Sequence, residues 1–167
     1  MFYKEALLIS REIGDRKREG SLLSKLGLAY YYLGEIPRAI EYQEEALLVS
    51  REIGDRKGES ISLSNLGLIY NAVGKYLKAT DYYEEALSIS KEIGDRKGEG
   101  ADLDNLGLAY SELGEMAKAI EYHEEALIIS RETGDREGES YRLNNLGSAY
   151  RKLGDCLLYT SPSPRDS

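Results

Sequence analysis

The residues that could do chemistry are few, and their spacing assembles none of the common machinery. One histidine, His123, and one cysteine, Cys156, occur in 167 residues. A metal site needs three or four converging His, Cys or carboxylate ligands, and here no second His or Cys completes a set. His123 holds a position taken by Gln43 and Tyr83 in earlier copies of a repeat described below, so the unit does not require an imidazole there. Serine, histidine and aspartate nowhere fall at a spacing that suggests a nucleophile with its base. The turn Gly54-Asp55-Arg56-Lys57-Gly58 offers a superficial phosphate cradle. It lacks the order of glycines followed by Lys-Ser/Thr, and helix capping accounts for it. The expectation is a chain that is not an enzyme, with no catalytic residue, no metal and no cofactor.

Composition narrows the partners. The chain is 41% apolar and 31% charged, with a formal net charge of −8. Acid pairs such as Glu44-Glu45, Glu84-Glu85 and Glu124-Glu125 recur along it. Nucleic-acid binding takes a basic face that displaces counterions from phosphates, so nucleic acid is not an expected partner. The same sign disfavours anionic membrane surfaces, and apolar runs of four or five residues are too short to span a bilayer. Met1 opens no charged-then-apolar leader, and one cysteine forms no internal disulfide. Cytoplasm is the default location.

What must position every side chain is a forty-residue unit, cleanest from Asp95 to Gly134, which recurs as Asp55–Gly94 and Asp15–Gly54. A repeat array is held by neighbour contacts and has no single central core. Each unit reads as two helices. The first, A, starts at an Asp that can cap free amides and carries an apolar stripe such as Leu63, Leu66, Tyr70, Val73 at helical steps. Its length is about 25–28 Å at roughly 1.5 Å per residue. Gly34, Gly74, Gly114 and Gly154 are expected to close the A helices. The second, B, carries Ala79, Tyr82, Ala86, Ile89, Ile93, and Pro37 falls in the first turn of its first full copy, where a missing amide proton costs little. The short link makes A and B antiparallel.

Gly27, Gly67, Gly107 and Gly147 sit mid-helix, where glycine costs about 1 kcal/mol relative to alanine. Their return suggests a close helix contact, with Ala39, Ala79 and Ala119 as the expected partners. The chain thus divides into residues 1–14, the second half of a truncated repeat; full repeats at 15–54, 55–94 and 95–134; and 135–155, the first helix of a truncated fourth. Residues 156–167 carry two prolines and no periodicity. They resemble a sequencing adapter translated in frame, against a Ser/Pro-rich natural linker, and are expected to be a non-native, disordered tail.

The motifs Asn105–Tyr110 (NLGLAY), Leu113-Gly114, Lys118–Tyr122 (KAIEY) and Glu125–Leu127 (EAL) resemble the tetratricopeptide repeat. The forty-residue period and the EIGDRKGE turn look like the long repeats of Pins/LGN-type signalling modulators and of bacterial arrays. The resemblance implies an all-α, right-handed α-α superhelix whose A helices line a concave groove for a partner segment. Carried over position by position, the groove residues are Ser24, Leu28, Tyr31 and Tyr32; then Ser64, Asn65, Leu68 and Asn71; then Asp104, Asn105, Leu108 and Glu112; then Asn144, Ser148 and Arg151.

Two departures from the family pattern matter. Leu28, Leu68, Leu108 and Ser148 stand where the Pins/LGN pattern usually has asparagine, so its amide clamp is not expected; Asn65, Asn105 and Asn145 lie one turn earlier. The Lys, Asn and Arg set that clamps a C-terminal carboxylate in chaperone-binding members is missing. The leucine row either lines the groove or packs between A helices. Tyr30, Tyr70, Tyr110 and Tyr150 fall on the core stripe, whereas Tyr31 and Tyr32 suit contact with a partner.

The functional expectation is a non-catalytic scaffold that binds a protein or peptide in the groove. The alternative is the sensor array of a larger enzyme or signalling ATPase. The stripe Leu143, Leu146, Tyr150, Leu153, left without a B helix, is expected to favour self-association.

Overall fold

The computed structural model describes residues 2–160, with side chains placed through residue 154. Among the described residues eight helices follow one another: α1 (Phe2–Glu12), α2 (Arg16–Tyr32), α3 (Ile36–Glu52), α4 (Arg56–Ala72), α5 (Tyr76–Glu92), α6 (Arg96–Glu112), α7 (Met116–Thr133) and α8 (Arg136–Thr160). The A helices are α2, α4, α6 and α8; the B helices are α1, α3, α5 and α7. Neighbours in sequence pack against each other, and the A helices also touch along one face, α2 with α4, α4 with α6 and α6 with α8. The result is an all-α superhelix of antiparallel hairpins.

The repeated turns account for the regularity. At Gly34 the chain takes φ +77°, and the amide of Glu35 donates back to the carbonyl of Tyr30 at 2.9 Å. A Cβ would strain that left-handed step. At the other kind of turn, Gly54 reaches φ +69° and Asp55 accepts from the amide of Gly58 at 3.1 Å. That bond caps α4 as the Gly-Asp pairing predicts.

The rest of the EIGDRKGE signature is an ion-pair ladder between repeats. Glu59 is buried and accepts from Arg51 of α3 at 2.8 Å and from Arg56 at 2.6 Å. Arg51 reaches on to Glu85 at 2.5 Å, and Arg56 pairs with Glu92, both on α5. Glu19 with Arg11 and Arg16 repeats the scheme one unit earlier. Burial pushes the Glu59 carboxyl up, but the bonds and charges of Arg51 and Arg56 together outweigh it and hold it below the ordinary carboxylate value.

Apolar residues of each hairpin and the next helix form the core. Leu63, Leu66, Ala79, Ala86, Leu103 and Leu106 are almost fully buried in one continuous cluster. At the hairpin ends, tyrosines stack in pairs: Tyr30 on Tyr42, Tyr70 on Tyr82 and Tyr110 on Tyr122, with centroids 5.3–5.4 Å apart. Lys78 lies over the Tyr70 ring at 4.1 Å, a contact that draws on the ring quadrupole.

The structure departs from expectation at the last helix. Gly154 does not close α8, which continues to Thr160. Elsewhere the A helix stops because a B stripe follows that can fold back; the residues after Gly154 carry no such stripe. Among the described residues no ring stacks on Tyr150, which is 52% exposed, against 6% for Tyr70. The sequence places it on a core stripe, yet among the described residues its ring stays exposed. Leu143 is exposed too, while Leu146 is buried and Leu153 half-buried. The expected tail begins within α8, and residues 161–167 lie outside the described residues.

Candidate functional site

The A-helix face carries two clefts in register. The larger, about 460 Å³, lies between α2 and α4. Ser21, Ser24, Lys25 and Leu28 line it from α2, and Ile61 and Asn65 from α4, with Lys17 and Lys57 at one end. The second, about 230 Å³, lies between α4 and α6 and is lined by Ile61, Ser64, Asn65, Ala101 and Asn105. Of the residues expected in the groove, Ser24, Leu28 and Asn65 thus meet in one cleft, and Ser64, Asn65 and Asn105 in the next. Leu68 and Leu108 are half-buried, like Leu28, but border neither cleft. Tyr31 is half-buried and Tyr32 exposed, their rings 5.3 Å apart. Asn71 and Ser148 are half-buried, and Glu112, Asn144 and Arg151 are exposed. Asn71 keeps a buried side-chain oxygen without a hydrogen-bond partner.

Charge is distributed unevenly. On a chain of net charge −8, the larger cleft is lined by three lysines and one carboxylate, Asp55, which caps α4. Lys57 pairs with Asp95 at 3.0 Å, while no carboxylate among the described residues pairs with Lys17 or Lys25. Apolar walls from Leu28 and Ile61 therefore sit beside two cationic groups with hydrogen-bonding capacity to spare.

Asp104 corrects the expected groove. It is 5% exposed and points between repeats. Its carboxylate lies 2.7 Å from Nδ1 of His123 and accepts from the Asn145 amide at 3.2 and 3.3 Å. His123 itself is 1% exposed. The same three positions in the first repeat are Ser24, Gln43 and Asn65. There, Gln43 donates to the Ser24 carbonyl at 2.8 Å, and Asn65 donates to the Ser24 hydroxyl at 3.1 Å. The asparagines one turn before the leucine row therefore act as ties between repeats at Asn65 and Asn145.

The mid-helix glycines belong to the same junction. A Cβ on Gly27 would stand 2.6 Å from the Gln43 amide, on Gly67 2.5 Å from the Tyr83 ring, and on Gly107 2.6 Å from the His123 ring. The partners are thus not Ala39, Ala79 and Ala119, as the stripe suggested. Side chains one turn further along the B helix are long enough to cross and fill the notch. The readable signal was a constant sixteen-residue offset from each glycine to a position that varies in type but is always large.

Asp102 is a further buried group that sequence reasoning missed. It accepts from Ser64 at 2.5 Å and Ser90 at 2.8 Å. Burial raises its pKa to about 6, against the lowering effect of those two bonds. Leu22, Ser62 and Arg142 hold this position in the other repeats, so its carboxylate is particular to the third.

Helical hairpins stacked with their first helices along one face define the class: an α-solenoid of two-helix repeats. The tetratricopeptide repeat family model matches residues 18–92 and 99–157. The chain belongs to the tetratricopeptide-repeat family, whose arrays are protein-interaction scaffolds. No curated protein matches the sequence. Among solved structures, BtubC (BKLC) from P. vanneervenii is 26% identical, with a TM-score of 0.82, over 99% of this chain and 75% of that one. A putative kinesin light chain of nearly identical TPR-like repeats from Podosopora anserina is 19% identical, with a TM-score of 0.72, over 92% and 76%. A signal-transduction ATPase with a tetratricopeptide-repeat sensor from Pyrococcus horikoshii is 24% identical, with a TM-score of 0.63, over 93% of this chain and 28% of that one. No helix among the described residues is long and apolar enough to cross a membrane.

Proposed function

We propose that this array takes a partner protein segment along its A-helix face, seated chiefly in the cleft between α2 and α4. The observation that carries the reading is the composition of that cleft. Its walls from Leu28 and Ile61 can cover an apolar side chain, and Lys17 and Lys25 can meet an acidic one. Apolar contact supplies most of the affinity of such sites, and placed polar groups supply selectivity. The segment favoured is therefore acidic with an apolar anchor, and steering by lysines should weaken in salt.

Panning a peptide-display library against the folded chain tests this. Peptides combining acidic and apolar residues should be enriched, and they should lose binding to Leu28→Asp and to Lys25→Glu at unchanged helicity. Enrichment of basic peptides, or equal binding by both variants, would overturn the reading. The same array could serve as the sensor of a longer signalling ATPase. The likeness to the Pyrococcus horikoshii protein supports that second reading at the level of fold, and the full reading frame of the gene decides it.

A further inference from the structure

The cleft between α4 and α6 carries a negative charge that no neighbouring cation meets. Asp102, on α6, lines it and is 2% exposed. Its Oδ1 accepts from Ser64 across the cleft at 2.5 Å, and its Oδ2 accepts from Ser90 of α5 at 2.8 Å. Among the described residues no lysine or arginine pairs with it. Lys57 of α4 reaches the same cleft but is held by Asp95 at 3.0 Å, and Arg142 of α8 turns to Ser130 and Asp135. Tyr83 of α5 and Asp95 at the start of α6 are the other titratable groups close to it. A buried carboxylate without a cation destabilises a fold, and leucine, serine and arginine hold this place in the other repeats. The repeat therefore does not require a carboxylate there, and a destabilising charge on a cleft wall points to a ligand. We infer that this cleft takes one basic side chain of the partner segment, whose ammonium or guanidinium group is held by Asp102 and Ser64.

The inference rests on the segment lying along the A-helix face, as proposed above, and adds a second charge to it. Ile61 and Asn65 line both clefts, so the two are continuous and one segment reaches both. At about 230 Å³, against 460 Å³ for its neighbour, the second cleft has room for a single side chain. Ile61 and Ala101 can cover the alkyl stem of a lysine or arginine, which buries its methylenes while its head stays solvated or paired. Ser64 gives its proton to Asp102 and so keeps its oxygen lone pairs for a donor in the cleft, with the carboxylate charge directly behind. Asn65 donates with its amide nitrogen to Ser24, which leaves its oxygen as a further acceptor. The partner's charges are thereby ordered: acidic where Lys17 and Lys25 meet it, basic where Asp102 does. Burial holds the Asp102 carboxyl up at about 6. A bound cation favours its ionised form, so binding releases a proton below pH 6 and strengthens as pH rises through that value.

Panning the peptide-display library on the parent chain and on Asp102→Asn tests the inference. On the parent, selected peptides should carry one Lys or Arg at a fixed spacing from the acidic and apolar pair. On Asp102→Asn that basic position should become random while the acidic and apolar pair persists. One parent-selected peptide is then synthesised with its basic residue and with norleucine in that place. The basic form should bind the parent about tenfold more tightly at pH 7.5, and the gap should shrink several-fold at pH 5, where Asp102 is largely protonated. The gap should vanish at both pH values on Asp102→Asn and on Asp102→Ser, which copies Ser62 of the preceding repeat. Absence of a fixed basic residue, its equal enrichment on Asp102→Asn, or a gap that does not change with pH would overturn the inference. A fixed basic residue that depends on Asp102, selected without any acidic and apolar pair, would support it and count against the reading of the first cleft alone.

Discussion

At the scale of single residues, the junction between repeats sets the consequences. Gly67 faces the buried Tyr83 ring, and ring and backbone have nowhere to move within α4 and α5. Gly67→Ala should therefore cost about 1–3 kcal/mol from overpacking. Gly147→Ala, with open space around it, should gain up to about 1 kcal/mol from helix propensity. Urea unfolding of the two variants reads the contrast, and equal effects would contradict the notch. Asp102 carries a pH prediction. Its pKa rises from 3.8 to about 6 on folding, so the folded chain holds that proton more tightly than the unfolded one. Stability from this group is full below about pH 4 and is lost as pH rises through 6, a loss of up to about 3 kcal/mol. Asp102→Asn should stabilise at pH 7.5 and change nothing at pH 4, as measured by urea midpoints at the two pH values.

At the scale of elements, the ion-pair ladder and the last helix behave differently. Glu19 and Glu59 are held below their ordinary 4.5 by their arginines, despite burial. Their contribution is present above about pH 4.5 and disappears as pH falls through the depressed values. The ladder thus limits stability on the acid side, where Asp102 limits it on the other. Glu59→Leu would leave Arg51 and Arg56 without their shared acceptor and should remove part of the acid dependence along with stability. Thermal melts from pH 3 to 6 would show whether that steepness falls. For α8, exposed Leu143 and Tyr150 mean few apolar contacts, and opening free energy follows local contact density. Hydrogen exchange should show Asp135–Gly154 exchanging faster than Asp55–Gly94, and equal protection of the two segments would contradict this.

At the scale of the whole molecule, stability is a sum over repeats and their interfaces, and much of that is legible from residues forty apart. Helix pairs, the Gly-Asp turns and the buried leucines follow from local chemistry: left-handed glycine, Asp capping and helical spacing of apolar side chains need only near neighbours in sequence. The place of Leu28, Ser24, Asn65 and Asn105 beside clefts on the A-helix face was within reach for the same reason. Other features depend on three helices from two repeats meeting at one point. Asp104 reads as a groove residue on its own helix, yet His123 nineteen residues on and Asn145 forty-one on draw it inward. The partner of Gly67 is decided by the reach of Tyr83 across the hairpin, which spacing of small residues along a stripe does not reveal. The sequence by itself therefore determined the repeat, its helices and its turns, because those are set by interactions over a few residues. Only the tertiary structure decided which polar side chains are surface and which are mortar between repeats, because that depends on how far each side chain reaches into its neighbour.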